Sequence, residues 1–398
     1  MSGKSIICYL ADRHDLYDDR IYWKMAVPMV GRGFEVHYLL IGPKDEQGIS
    51  NEGVHYTMFK LKTFAQNRFV NFFLKRLNPK NNYRRMFDQA KLLEADIYHF
   101  HDLWINRLGP KFKKLSHKPV VIYDAREPYA EDYRSYVKSS VPLVVATFAS
   151  WVDRWEKKRA SNYDLVIANE DNVRVNFAHH IGEEKSIVLY NYADTIIAAK
   201  DHDLKQKKYD LIYCGAVSEI RGAIEMVKGI QKASDDLPDI KAIFIGNYYP
   251  KSFKEELQQM IDKHGLKEQI ELHDAVPYTK VGGFYAQSKI GLVLLKKVET
   301  FELSMPIKLF EYMAHGLPII ASNFGHMKTY IEKDACGVTV DPTNDEEVAS
   351  AIVKLLTDKD LFSQLSDMGR SAAQTKYRWE IEFEKLVGHY KTKLDARG

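Results

Sequence analysis

Short apolar runs recur along the chain, separated by longer stretches in which apolar residues return at helical spacing. In the first half the runs are 6–10, 36–41, 97–100, 120–123, 165–168 and 187–189. In the second half they are 211–214, 242–245, 270–272, 290–294, 319–321 and 337–340. Uninterrupted apolar runs of this length predict parallel strands buried on both faces, and the helical patterns between them predict βαβ crossovers. The polar stretch 200–208 reads as a linker between the two sets. The pattern therefore predicts an α/β chain of two doubly wound domains facing a cleft, 1–197 and 198–376.

Composition agrees with this division. A chain of 398 residues, 45% hydrophobic and 28% charged, has apolar material for two cores, at ~100–200 residues per domain. Fifty-seven basic against fifty-four acidic side chains leave a net charge of +3, which argues against a nucleic-acid partner. Cys8, Cys214 and Cys336 are far apart within apolar stretches, as buried thiols in a reducing compartment would be. The first residues, MSGKSIICYLADRHD, do not read as a signal peptide. The longest apolar stretch, 141–152, falls short of the ~20 residues of a membrane span. A cytoplasmic chain is the expectation.

Open parallel sheets bind ligands at the carboxyl ends of their strands. That rule selects 11–20, His101 and Asp102, 124–127, 215–222, Gly246 and Asn247, and 322–325. Within the second half, SMPIKLFEYMAHGLP (304–318) predicts a helix. Ser304 would cap it, Pro306 would fit its first turn, Gly316 would close it and Pro318 would bar continuation. A helix N-terminus suits phosphate, and Lys308 stands in the first turns, where helix electrostatics favour an acid. An anionic ligand would offset that mismatch, and Glu311 could accept hydrogen bonds from sugar hydroxyls. An ordinary helix with surface Lys308 and Glu311 is the alternative. In CGAVSEIRGA (214–223), Gly215 would let the backbone approach a ligand, and Arg221 would bring a guanidinium fork to phosphate oxygens at a helix start. A plain strand–turn–helix with a surface arginine is the alternative there.

Taken in order, GAVSEIRG, AIFIGN, VPYTKVGGFYAQSKIGLVLL and SMPIKLFEYMAHGLPIIAS resemble the retaining GT-B glycosyltransferases of family four. The last segment is similar to the P-x-K-x-x-E-Y-M-A-x-G-x-P-I-I-A variant of bacterial polysaccharide and lipid-linked glycan sugar transferases. The resemblance implies two Rossmann-like domains, with a last helix, 377–398, crossing back to the first. It implies that Glu311 holds ribose hydroxyls and that Arg221 and Lys308 neutralise a nucleotide diphosphate. Backbone N–H groups around Ser304, Pro306 and Ile307 would hold the sugar-proximal phosphate. The base would stack near Tyr278, with Gly215 and Gly246 in the same site. Two departures stand out. The common E-x7-E form has an acid where this chain has Leu303, Glu302 being one place off, and the G-R-L form has an arginine where this chain has Ala216.

In the first half, DIYHFHD (96–102) sets His99 and His101 on one strand face. Metal ligation, proton transfer and plain packing all fit two histidines so placed. The segment resembles the family's D-v-x-H-x-H-D strand end, which implies that His101 positions and hydrogen-bonds the reacting sugar and phosphate. VIYDAREP (121–128) resembles v-y-D-a-H-E, with Arg126 for histidine; Glu127 is the catalytic-side candidate and Asp124 reads as structural. HDLYDDRI (14–21) is similar to a D-x-R-I opening, with Asp19 and Arg20 as acceptor-side candidates; a solvated loop explains them equally.

Between 61 and 87 lie seven basic residues and no acid, interleaved with aromatics. As a helix, this segment would present Arg68, Phe72, Phe73, Lys75 and Arg76 to a membrane surface, or pack in the core with a basic edge. Docking at the inner face of the cell membrane would suit a lipid-linked acceptor. Asp201 and Asp203 form a D-x-D in the linker with no preceding strand. No G-x-G-x-x-G, Walker A loop or G-x-S-x-G occurs. The reading is transfer of a sugar from a nucleotide-diphosphate sugar, a UDP-sugar ahead of a GDP-sugar, to a glycan or lipid-linked glycan hydroxyl. Retention and no cofactor or metal are expected. The alternatives are a nucleotide-sugar epimerase of the same fold and a catalytically silent GT-B partner subunit.

Overall fold

The structure is a computed structural model describing residues 4–12, 14–60, 80–136, 142–194, 207–298, 301–302 and 304–397. The chain divides into two compact units, Met1–Asn191 with Ile381–Gly398, and Tyr192–Glu380. The Trp379–Asp395 helix thus starts in the second unit and runs on in the first.

The first unit is built on an eight-stranded sheet in the order β3-β4-β2-β1-β5-β6-β7-β8. Its strands are β1 Ile6–Ala11, β2 Glu35–Gly42, β3 Glu46–Ile49, β4 His55–Lys60, β5 Ile97–His101, β6 Val120–Ala125, β7 Leu165–Ala168 and β8 Ser186–Val188. All pair in parallel except β3, which runs antiparallel to β4. The apolar runs account for every strand here but β3 and β4. Those two form an edge hairpin, EQGI and HYTMFK, that buries only Met58 and Phe59 and lacks a continuous apolar run.

The second unit holds six parallel strands, β9 Tyr209–Cys214, β10 Ala242–Gly246, β11 Ile270–Asp274, β12 Ser288–Val293, β13 Ile319–Ser322 and β14 Gly337–Val340. Their order is β11-β10-β9-β12-β13-β14, the doubly wound arrangement. Both sheets are therefore α/β Rossmann-like sheets. In each, the strand order reverses once, between β1 and β5 and between β9 and β12. Loops leaving the carboxyl ends diverge there and open a crevice.

The expected helix at 304–318 starts later than its residue types suggested. It spans Ile307–Ala314, with Pro306 at the cap position and no side chain capping it. Ser304 is therefore not its cap, because residues 304–306 lie ahead of the helix and the proline itself, at φ −68° and ψ 118°, makes the turn into it. Gly316, at φ +65°, closes its other end as expected. Arg68, Phe72, Phe73, Lys75 and Arg76, with Asp201, Asp203 and Leu303, lie outside the described residues. Among the described residues no helix is long and apolar enough to cross a membrane.

Candidate active site

In the second unit, backbone is brought unusually close together at the carboxyl ends of β9, β10 and β12. A Cβ on Gly246 would stand 1.7 Å from the Gly215 carbonyl oxygen. One on Gly222 would stand 1.6 Å from the Leu294 carbonyl oxygen, and Gly222 adopts the left-handed conformation that starts the Ala223–Asp236 helix. Only glycine fits at either place. The Tyr312 hydroxyl accepts from the Cys214 N–H (3.1 Å), pinning the Ile307–Ala314 helix to the end of β9.

Lys308 sits on that helix, one residue past its start. Only 8% of it is exposed, and its Nζ has no hydrogen-bond partner. The ammonium lies 3.9 Å from the centre of the Tyr213 ring. A Cβ on Gly215 would be 2.9 Å from Nζ, so the amine hangs directly over the glycine. A buried ammonium satisfied only by an aromatic face is costly unless an anion joins it. No side chain caps the first N–H groups of the same helix, which leaves them free for an anion.

Glu311, one turn on, lies on the same helix face as Lys308. Its Oε2 accepts from the Tyr285 hydroxyl (2.7 Å). Glu311, Tyr278, Tyr285, Gly282 and His315 line a pocket with Asp194. The structure thus gathers Tyr278 and Glu311 in one pocket and Gly215, Gly246 and Lys308 at one strand-end crevice. Arg221 ends the one-turn Glu219–Arg221 helix, half-buried, with its guanidinium 5.4 Å from the Phe301 ring centre. Burial and the nearby Glu311 carboxylate push the Cys214 thiol up to about 11, so it is no nucleophile at neutral pH.

The first unit's switch point is built differently. Every residue of β5 and β6 is buried, yet these strands carry His99, His101 and Asp124. His101 pairs with Asp124 in register, its Nδ1 3.4 Å from Oδ2. The His99 and His101 rings stack with centres 4.5 Å apart, and His99 Nδ1 meets the Tyr390 hydroxyl at 2.5 Å. Burial lowers both imidazoles below the usual histidine range, so both are neutral at neutral pH. Burial raises the Asp124 carboxyl, but the Arg20 guanidinium and the imidazoles outweigh it and hold the acid well below its ordinary range.

Arg20 donates from Nε to Asp124 (3.2 Å) and from both terminal nitrogens to the Leu189 carbonyl (3.2 Å each). It is 1% exposed. That corrects the acceptor-side assignment of Arg20: it is an interior counter-charge, driven inward because Asp124 needs a cation. Asp19 opens the Asp19–Ala26 helix and stays partly exposed, 3.9 Å from the buried Lys24 amine. Glu127 lies exposed in the bend after β6. His101 is fully buried beneath this surface, with its Nε2 lacking a hydrogen-bond partner.

Nearer the surface, His14 bridges two carboxylates. Its Nδ1 is 2.8 Å from Asp18 and its Nε2 2.9 Å from Asp102. Burial and Arg126 push this imidazole down, but the two carboxylates overcome them and raise it to about 9. Tyr129 donates to Asp102 (3.2 Å), and Arg126 approaches Asp18 (3.5 Å). Asp102 is held at φ +76°, a strained backbone for a non-glycine residue and frequent at functional sites. His14 was the residue whose role the sequence left unread. The signal was position, since it lies just past β1, which borders the switch point.

His99, His101 and Asp124 bring ligand atoms within 4.8 Å of one another, close enough for a metal ion. The residues do not fit one well. Arg20 already neutralises Asp124, so a divalent ion would sit beside a fixed cation.

Residues 194–374, a little under half of the chain, match the family described as Glycosyl transferases group 1. It is 22% identical over 228 residues to a sucrose synthase of Denitrovibrio acetiphilus, a match that takes in 53% of this chain and 28% of that protein's length. Among solved structures, a sucrose-phosphate synthase of Thermosynechococcus elongatus is 13% identical with a TM-score of 0.72, covering 99% of this chain and 100% of that one. The Anabaena protein HepE, solved in complex with UDP and glucose, is 16% identical with a TM-score of 0.69, covering 98% and 100%. The fold is that of GT-B glycosyltransferases.

Proposed function

We propose that this chain transfers a sugar from a nucleotide-diphosphate sugar to a hydroxyl of a glycan or lipid-linked glycan, with retention of anomeric configuration and without a metal. The carrying observation is Lys308, a buried ammonium with no anion, set over Gly215 beside an uncapped helix start. A diphosphate supplies the missing charge. Glu311, one turn along and already tied to Tyr285, takes the ribose hydroxyls, and Tyr278 borders the base. A UDP-sugar is the favoured donor, in keeping with the UDP and glucose found with HepE.

In the reaction the bond from the sugar's anomeric carbon to the diphosphate breaks as a bond to the acceptor oxygen forms on the same face. The acceptor's proton passes to the departing phosphate oxygen. Lys308, Arg221 and the helix N–H groups stabilise the growing charge, the work a divalent ion does in other transferases. His101, neutral and buried, is assigned the positioning and hydrogen-bonding of the reacting sugar and phosphate; it is not assigned as a base.

The test is a calorimetric panel of UDP, GDP, ADP and their common sugars, with magnesium and with chelator, on the wild type, Glu311→Ala and Arg221→Ala. One nucleotide should bind equally well in chelator and weaken at least tenfold in both variants. Product formation should need an acceptor. Conversion of the donor without an acceptor would instead mark an epimerase, and binding without turnover a silent subunit.

A further inference from the structure

The Pro142–Ala160 helix of the first unit carries the most concentrated apolar exposure in the described chain. Leu143 is 80% exposed, Val144 61%, Trp151 45% and Phe148 38%. Its opposite face is firmly seated, with Ala149, Val152 and Ala160 fully buried. The exposed residues are therefore not a core face left open by a loosely packed helix. Phe148 and Trp151 stack with centres 5.8 Å apart, and Tyr133 meets Phe148 edge-on at 5.1 Å, so the aromatics form a fixed surface.

The charges on this helix are sorted. Leu143, Val144, Phe148 and Trp151 occupy its first half, and Arg154 and Lys158 continue the same face in its second half. At 100° per residue all six fall within an arc of about 140°. Among the described residues of the helix, every exposed position is apolar, threonine or basic. Asp153 is engaged by Lys157 (2.7 Å), and Glu156 is buried, with burial pushing its carboxyl up to about 8. Even the exposed Thr147 turns its hydroxyl back to the Leu143 carbonyl (2.7 Å).

We infer that this helix face is a docking surface for an anionic lipid bilayer, lying flat at the interface with Leu143, Val144, Phe148 and Trp151 in the acyl boundary and Arg154 and Lys158 among the headgroups. An apolar segment too short to span, aromatic at its centre and basic at one end, is what interfacial binding requires. A symmetric dimer through the same face would bring together four cations with no acid on the face to meet them. The inference is independent of the sugar-transfer reading.

The experiment sediments the full chain with vesicles of phosphatidylcholine alone and of equal parts phosphatidylcholine and phosphatidylglycerol, with emission quenching by brominated lipid. The wild type should bind the anionic vesicles and show quenching that largely disappears in Trp151→Phe. Leu143→Glu with Phe148→Ser should weaken binding at least tenfold, and Arg154→Gln or Lys158→Gln about fivefold each. Leu143 is exposed enough that Leu143→Glu alone should melt like the wild type, so a null result is not misfolding. Three results would overturn the inference. The wild type could fail to bind anionic vesicles, the variants could bind as well as the wild type, or the same variants could convert a dimer in solution to a monomer.

Discussion

The two switch points are the same place in two copies of one architecture, yet their charges are arranged in opposite ways. At the first unit's switch point the buried charges meet opposite charges. Arg20 and His101 face Asp124, while His14 and Arg126 face Asp18 and Asp102. In the second unit a buried ammonium, Lys308, is left with a tyrosine ring and glycine backbone. A closed network holds a shape; an open charge holds a place for a ligand. On the proposed function, the difference lets one architecture supply a closed network and an anion site from the same strand ends.

Breaking the closed side should produce the largest effects. Asp124→Asn leaves the Arg20 guanidinium buried without its carboxylate, and removing one partner of a buried pair costs about 3–5 kcal/mol. Urea denaturation should show that loss, while nucleotide binding by whatever remains folded is unchanged. If the variant unfolds at the wild-type midpoint, Arg20 is not the interior counter-charge described here.

A smaller effect comes from pH. His14 has an ordinary value of 6.5 and is raised to about 9 by its two carboxylates. Its contribution is therefore complete below about 6.5 and is lost as pH rises through 9. The amount is on the order of 3 kcal/mol. Asp18 and Asp102, held below their ordinary range, contribute the reverse, losing their effect only in acid. The wild-type melting temperature should fall between neutral pH and 9.5 or so, and His14→Gln should start lower and flatten that fall. An equally steep alkaline fall in the variant would place the titrating group elsewhere.

The smallest effect is expected at the pocket. Tyr285→Phe removes one hydrogen bond to Glu311, worth about 1 kcal/mol, and should weaken nucleotide binding about fivefold by calorimetry with little change in stability. No change at all would mean that Glu311 does not need its tyrosine to meet the ligand.

Much of this comparison was legible in the residues. The apolar runs locate the twelve strands of the two parallel arrays other than β4, because strands buried on both faces must be continuously apolar. Gly215, Gly246, Lys308 and Glu311 follow from the strand-end rule and the helix. Other features were not legible, for definite reasons. The β3–β4 hairpin lies at a sheet edge, where no apolar run is required. Ser304 looked like a cap, but cap chemistry does not say which of three neighbouring residues makes the turn. Arg20 looked like surface charge because its partner, Asp124, is 104 residues away. Long-range charge pairing leaves no local signature.

On the proposed function, Lys308 is an unfilled charge awaiting a nucleotide diphosphate. Lys308→Met tests it with two readouts on one protein, thermal melting without ligand and calorimetric titration with UDP in chelator. The variant should melt at or above the wild-type temperature, because an uncompensated buried charge is gone, and should bind UDP at least tenfold more weakly. A variant that binds UDP as tightly as the wild type would contradict it.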